Sequence, residues 1–238
     1  MEFDVFLPPS PLQAPENVVI ETLKNIFLIV SALFPIVNPL GGSPIFLSLT
    51  REYSTSGRRA LSRRIAINSF FLLVGSYLIG THILEFFGIS LPVVQVGGGL
   101  IVISTGWAML KRRDEEERNE MHRRVQPQDE FSQAFYPLTL PLTVGPGSIS
   151  IAITLGANAP HTSRFNLLPV LAAIVGSAII SITIFLCYGF ADRLAQILGS
   201  TAMSVIMRLS SFLLVCIGVQ ILWNGASALL ASVPLNIR

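Results

Sequence analysis

Long apolar runs alternate with short, arginine-bearing stretches along this chain. Six windows contain no Asp, Glu, Lys or Arg: 25–50, 65–82, 86–110, 131–163, 165–191 and 209–237. Each reaches or approaches the roughly 20 helical residues that cross a hydrocarbon core of about 30 Å. The pattern predicts an all-α polytopic membrane protein with six transmembrane helices. The window 65–82 is the shortest, and His82 and Glu85 mark its emergence at an interface.

Two of the windows carry residues that break helices. "FPIVNPLGGSP" (34–44) lies in the first and "YPLTLPLTVGP" (136–146) in the fourth. Pro35, Pro39 and Pro44 recur as Pro137, Pro141 and Pro146, a constant 102 residues later. A second register, 107 residues apart, sets Asn38-Pro39 on Gly145-Pro146, so the correspondence is one of elements. Three spans separate the copies, and an odd number inverts the second in the membrane. The expected architecture is therefore two inverted three-helix repeats with broken first and fourth helices.

Proline lacks an N–H and drives the residue before it out of helix, while glycine permits unwinding. Unpaired backbone groups are costly in lipid, so such breaks survive inside protein or beside a polar cavity. Both fall near the middle of their windows, which predicts one shared cavity at the bilayer midplane. N–H groups beyond each break favour an anionic group, and unwound carbonyls favour a cation, so a zwitterionic solute meets both demands.

Composition agrees with this class. Hydrophobic residues make up 51% of the 238 positions, charged residues 13%, and mean hydropathy is +0.64. A net charge of +2 gives no reason to expect nucleic acid. Thirteen of the 16 Lys and Arg fall in the first, third and fifth connections, and only Lys24, Arg164 and Arg238 on the other side. The positive-inside rule then sets both termini on the non-cytoplasmic side. Residues 1–16, acidic and Pro-rich, read as a disordered tail, followed by repeat 1 (17–110), a charged cytoplasmic connector (111–130) and repeat 2 (131–238). Cys187 and Cys216 lie in apolar spans and imply no disulfide framework.

Several chemistries find no support. No formal charge sits deep in a span, so a midplane carboxylate relay has no candidate. The chain has no HExxH, His82, His122 and His161 fall in separate places, and Ser148 has no basic partner in sequence; no enzyme activity, metal or cofactor is expected. Ser148 reads instead as a cap of a broken helix. "GGGLIVISTG" (97–106) reads as close helix packing, and Gln220 and Asn224, one turn apart, share a face that lines a cavity or, the preferred reading, hydrogen-bonds a neighbouring helix.

Four ordered motifs add a resemblance: "FPIVNPLGGSPIFLSL", "FGISLPVVQVGGGLIV", "PLTLPLTVGPGSISIAI" and "IMRLSSFLLVCIGVQILWNG". Together they look like the MarC family of bacterial inner-membrane proteins, over about 17–230. The resemblance implies a six-helix integral membrane protein grouped with LysE-type exporters, some relatives being associated with transport of glycine and alanine. Matched by motif, its positions are Asn38, Pro39, Gly41 and Pro44, then Pro141, Gly145, Pro146, Gly147 and Ser148. Gly42 and Thr143 lie in the same stretches and complete the candidate substrate-binding set. The expected partners are the lipid bilayer and a small-molecule substrate; homo-oligomerisation stays open. The alternative is a non-transporting membrane scaffold or partner-binding protein whose breaks serve packing alone.

Overall fold

The computed structural model describes residues 15–111, 134–159 and 167–232, and every regular element among them is helical. α1 (Pro15–Val37) and α2 (Pro39–Leu49) form one near-continuous rod through Asn38. α3 (Thr55–Phe86) and α4 (Leu91–Lys111) follow, then α5 (Ala134–Thr143, a kinked segment interrupted by extended residues at Tyr136 and Leu140), α6 (Pro146–Ala157), α7 (Leu168–Gly189) and α8 (Ala191–Ser232). Of the segment read as a tail, only Pro15 and Glu16 are described, as the first residues of α1. Of the connector, Lys111 alone is described, ending α4.

Five spans are long and apolar enough to cross a membrane: Val19–Leu49, Thr55–Phe86, Leu91–Lys111, Leu168–Gly189 and Thr201–Ser232. Ala134–Thr143 with Pro146–Ala157 makes a sixth if the pair, bent by 70°, is one span. The fourth window is thus a sharply bent pair where the first stays nearly a single rod. α3 also starts earlier than its charge-free window: Ser54 caps it by accepting from the Gly57 amide at 3.1 Å, so Arg58, Arg59, Arg63 and Arg64 ride on its first turns. α8 is interrupted at Gly199, where φ is 69°.

Helix α4 packs on α8, and α3 on α7. α6 rests on α3 and α4, while α2 rests on α7 and α8. Heights can be read from contacts. Gly176 faces Ile29 and Gly42 faces Tyr188, so α1–α2 runs parallel to α7; Gly189 faces Ser62, so α3 runs antiparallel to it.

The α4–α8 seam is built from small residues seven apart. Gly99 lies on Gly218 and Leu222, Gly106 on the Ser211 carbonyl, and Gly225 on the Pro92 carbonyl. A Cβ at Gly106 would sit 2.8 Å from that carbonyl oxygen, and one at Gly218 would sit 2.8 Å from the Ile103 nitrogen. The 97–106 stretch is therefore a backbone-to-backbone packing surface, as its composition predicts.

The interior holds Leu33, Phe46, Ile65, Leu73, Ile180, Ile184 and Tyr188. Phe27, Phe71, Ile79, Phe212 and Trp223 face outward. Such an apolar exterior requires a lipid solvent, because a soluble surface of this kind would aggregate.

Candidate functional site

Asn38 lets the chain cross the first break with little bending. It adopts the left-handed region (φ 48°, ψ 56°), which Asn tolerates better than other residues with a Cβ. Its amide donates to Phe34 O at 2.9 Å, and its carbonyl accepts from Gly42 N–H at 2.9 Å, so the helical ladder runs through it. Its Oδ1 accepts from Gly41 N–H at 3.1 Å. Gly41 must be small, since a Cβ would lie 2.7 Å from that oxygen. The first break therefore spends the Gly41 and Gly42 amides on Asn38 itself.

Pro44 removes the N–H that would have served Leu40 O; the Ser43 hydroxyl donates to that carbonyl instead, at 2.9 Å. The proline, half-buried, is accommodated inside α2 beside the buried Ser43.

The second break is longer because three prolines shape it. Tyr136, Leu140 and Gly145, each preceding a proline, are extended, as the ring sterics require. Carbonyls left over find threonine: Thr139 Oγ1 donates to Ala134 O and Thr143 Oγ1 to Leu138 O, both at 2.6 Å. No side chain caps α6. Ser148 does not take the capping role; its hydroxyl donates to Gly145 O at 2.9 Å. By element, α2 and α6 both begin on proline, Pro39 and Pro146, 107 residues apart.

Tyr188 of α7 joins the two breaks, and sequence reasoning missed it. Its hydroxyl stands 3.2 Å from Thr143 Oγ1. Thr143 Oγ1 is the donor of this pair, its one proton shared between Tyr188 and the shorter contact to Leu138 O at 2.6 Å. The ring stacks on Phe46 of α2 at 4.7 Å, and its oxygen occupies the space over Gly42, where a Cβ would lie 2.5 Å away. One fully buried phenol therefore touches α2 and the end of α5 together. An apolar span ending in "CYGF" gives no signal that its tyrosine is buried.

The other candidates separate. Gly147 packs on Val102 of α4, and Ser150 donates to Val94 O at 3.0 Å, so this face of α6 serves helix packing. Pro141 and Pro146 are exposed. Gln220 Nε2 donates to Asn224 Oδ1 at 2.9 Å on the outer face of α8, so the pair bonds within its own helix and not, as the sequence suggested, to a neighbouring helix.

Three buried polar atoms near mid-span have no partner among the described residues: Asn38 Nδ2, Ser69 Oγ and Ser181 Oγ. By the Ser62–Gly189 register, Ser69 of α3 and Ser181 of α7 stand at about the same height. Asn68 Nδ2, beside Ser69, reaches Thr139 Oγ1 at 3.4 Å. A band of unmet hydrogen-bonding capacity thus runs through the middle of the helices that carry or flank the breaks.

An apolar-surfaced helical bundle with proline-broken segments at its centre defines a polytopic integral membrane protein. The family profile described as MarC family integral membrane protein matches residues 23–230. The chain belongs to the MarC family. It is 29% identical over 211 residues to the inner membrane protein MarC of Salmonella typhimurium, covering 86% of this chain and 95% of that one. The MarC protein of Escherichia coli O6:H1 is likewise 29% identical over 211 residues, covering 87% and 96%. The membrane protein YvbG of Bacillus subtilis is 28% identical over 195 residues, covering 82% and 90%. No solved structure matches.

Proposed function

We propose that this protein is a secondary transporter or exporter of the bacterial inner membrane that carries a small polar solute, of the size and charge type of a small neutral amino acid, between its broken first and fourth spans. The observation that carries the reading is the band of unpartnered polar atoms, Asn38 Nδ2, Ser69 Oγ and Ser181 Oγ, beside the Tyr188 bridge. Each such group costs about 1–3 kcal/mol when buried unpaired, and a solute or its water shell repays that cost. Tyr188 fills the space between the breaks in this closed state, and its departure would admit the solute.

Two inverted three-helix units suit this role. Exchanging the first span with the fourth, the second with the fifth and the third with the sixth leaves α4 on α8 and α3 on α7 unchanged and interchanges the rest: α6 on α3 becomes α2 on α7, and α6 on α4 becomes α2 on α8. Rocking of one unit against the other gives alternating access. Arginine distribution supports both termini on the non-cytoplasmic side. The names of the Salmonella and Escherichia relatives support the inner membrane. The reading assigns no catalytic chemistry to the chain.

Proteoliposomes provide the test. Labelled glycine, alanine and other small neutral solutes should cross faster with the protein than without it, and Thr143→Val should slow them at least about tenfold with the fold intact. Flux equal to that of empty liposomes across the panel would favour the scaffold alternative.

A further inference from the structure

A cavity of about 530 Å³ opens at the Phe86 end of the bundle, where α3 and α6 end and α4 and α7 begin. Its size is that of a small-molecule site. It lies well away from the breaks: Tyr77 and Gly156 meet at its floor, about two to three turns along α3 from Asn68.

Its chemistry is one-sided. Tyr77, Thr81 and Glu85 recur every four residues and form one stripe of α3 that lines the space, with His82 beside them and Ser90 across the turn. Glu85 is the single acid, and no Lys or Arg is among the lining residues. Among the described residues, Glu85 has no ion pair. The carboxylate also stands in the last turn of α3, where the helix dipole disfavours negative charge. α6 likewise ends at the cavity, and neither helix has a basic residue in its last turn. Two helix C-termini and the exposed Glu85 carboxylate converge on this space, with His82 the one lining side chain able to carry positive charge.

We infer that this cavity is a binding site for small organic ammonium groups, with Glu85 as the counter-charge and the Tyr77 and Thr81 oxygens as further acceptors. The site stands on its own geometry and does not depend on transport. A solute bearing an ammonium would be held here whether or not it goes on to the breaks.

Thermal melting of the full chain in detergent tests the assignment, with ethylammonium chloride as probe and sodium chloride and sodium propionate at equal ionic strength as controls. Ethylammonium should raise Tm along a saturating curve while the controls do not. Glu85→Gln should weaken the apparent affinity at least about tenfold, as expected for a lost charge-assisted hydrogen bond, and Glu85→Asp should retain most of it. Ala157→Phe, which fills the cavity from α6, should also abolish the shift. The inference is overturned by a wild-type Tm that ethylammonium leaves unchanged or shifts no more than propionate does. It is overturned equally by a saturating shift that survives Glu85→Gln.

Discussion

At Asn38 the costs of substitution should run against ordinary helix propensity. Alanine normally beats glycine inside a helix by about 1 kcal/mol. Here Asn38→Gly keeps the left-handed backbone and loses only the cap on Gly41, whereas Asn38→Ala loses the cap and takes a further penalty of about 1–2 kcal/mol for the left-handed conformation. The expected order of Tm is wild type, then Gly, then Ala; Ala above Gly would contradict the conformational account. The Gly42–Tyr188 contact makes a second prediction at this scale. Gly42→Ala pushes a methyl group into the phenol oxygen and should cost about 1–3 kcal/mol. Tyr188→Phe removes that oxygen, so the double variant should lose less than the two single losses added, by at least about 0.5 kcal/mol. Additive losses in a double-mutant cycle would show that the two residues do not touch.

Close helix packing can be tested along the α4–α8 seam. Gly218→Ala and Gly106→Ala each set a Cβ within 3.0 Å of backbone on the facing helix, which cannot move aside as a side chain can. Each should cost about 1–3 kcal/mol in detergent melts, while Ala at Gly97 or Gly75, where nothing lies within 4 Å, should be neutral or mildly stabilising. Elements of this kind were the most legible part of the chain. Charge-free windows located the spans because lipid excludes charge, and prolines located both breaks because ring sterics act on the adjacent residue. Helix starts were less legible: arginines 58 to 64 read as loop yet lie on α3, since a Ser54 cap and an extension beyond the lipid are not forbidden to a membrane helix. The shape of the breaks was hidden as well. Whether hydrogen bonds run through a kink, as at Asn38, or pass to threonine hydroxyls, as in α5, depends on side-chain geometry that proline spacing does not encode. Of the candidate site residues, Gly42 and Thr143 both meet Tyr188, a long-range meeting with no local signature.

Across the molecule, one end is clamped by charge and the other holds a cavity. Arg58 Nη1 meets Asp192 Oδ1 at 2.8 Å, and Arg59 and Arg193 lie over the Phe190 ring at 4.9 and 5.9 Å. This ties the start of α3 to the α7–α8 junction at the Arg58 end, opposite the cavity. Asp192→Asn should destabilise this arrangement by about 1–2 kcal/mol, between the values for exposed and buried pairs, and should raise thiol accessibility of a cysteine placed at Ser62; unchanged accessibility would mean the pair is not a clamp. The claim that unites these scales is that the two breaks serve one solute. It is tested most directly by solute protection in a background lacking Cys187 and Cys216, with single cysteines at Gly42 and at Thr143 reacting with a maleimide in proteoliposomes. One site predicts that a single solute shields both positions with the same half-protecting concentration; shielding of one position alone, at different concentrations, or of neither, would contradict it.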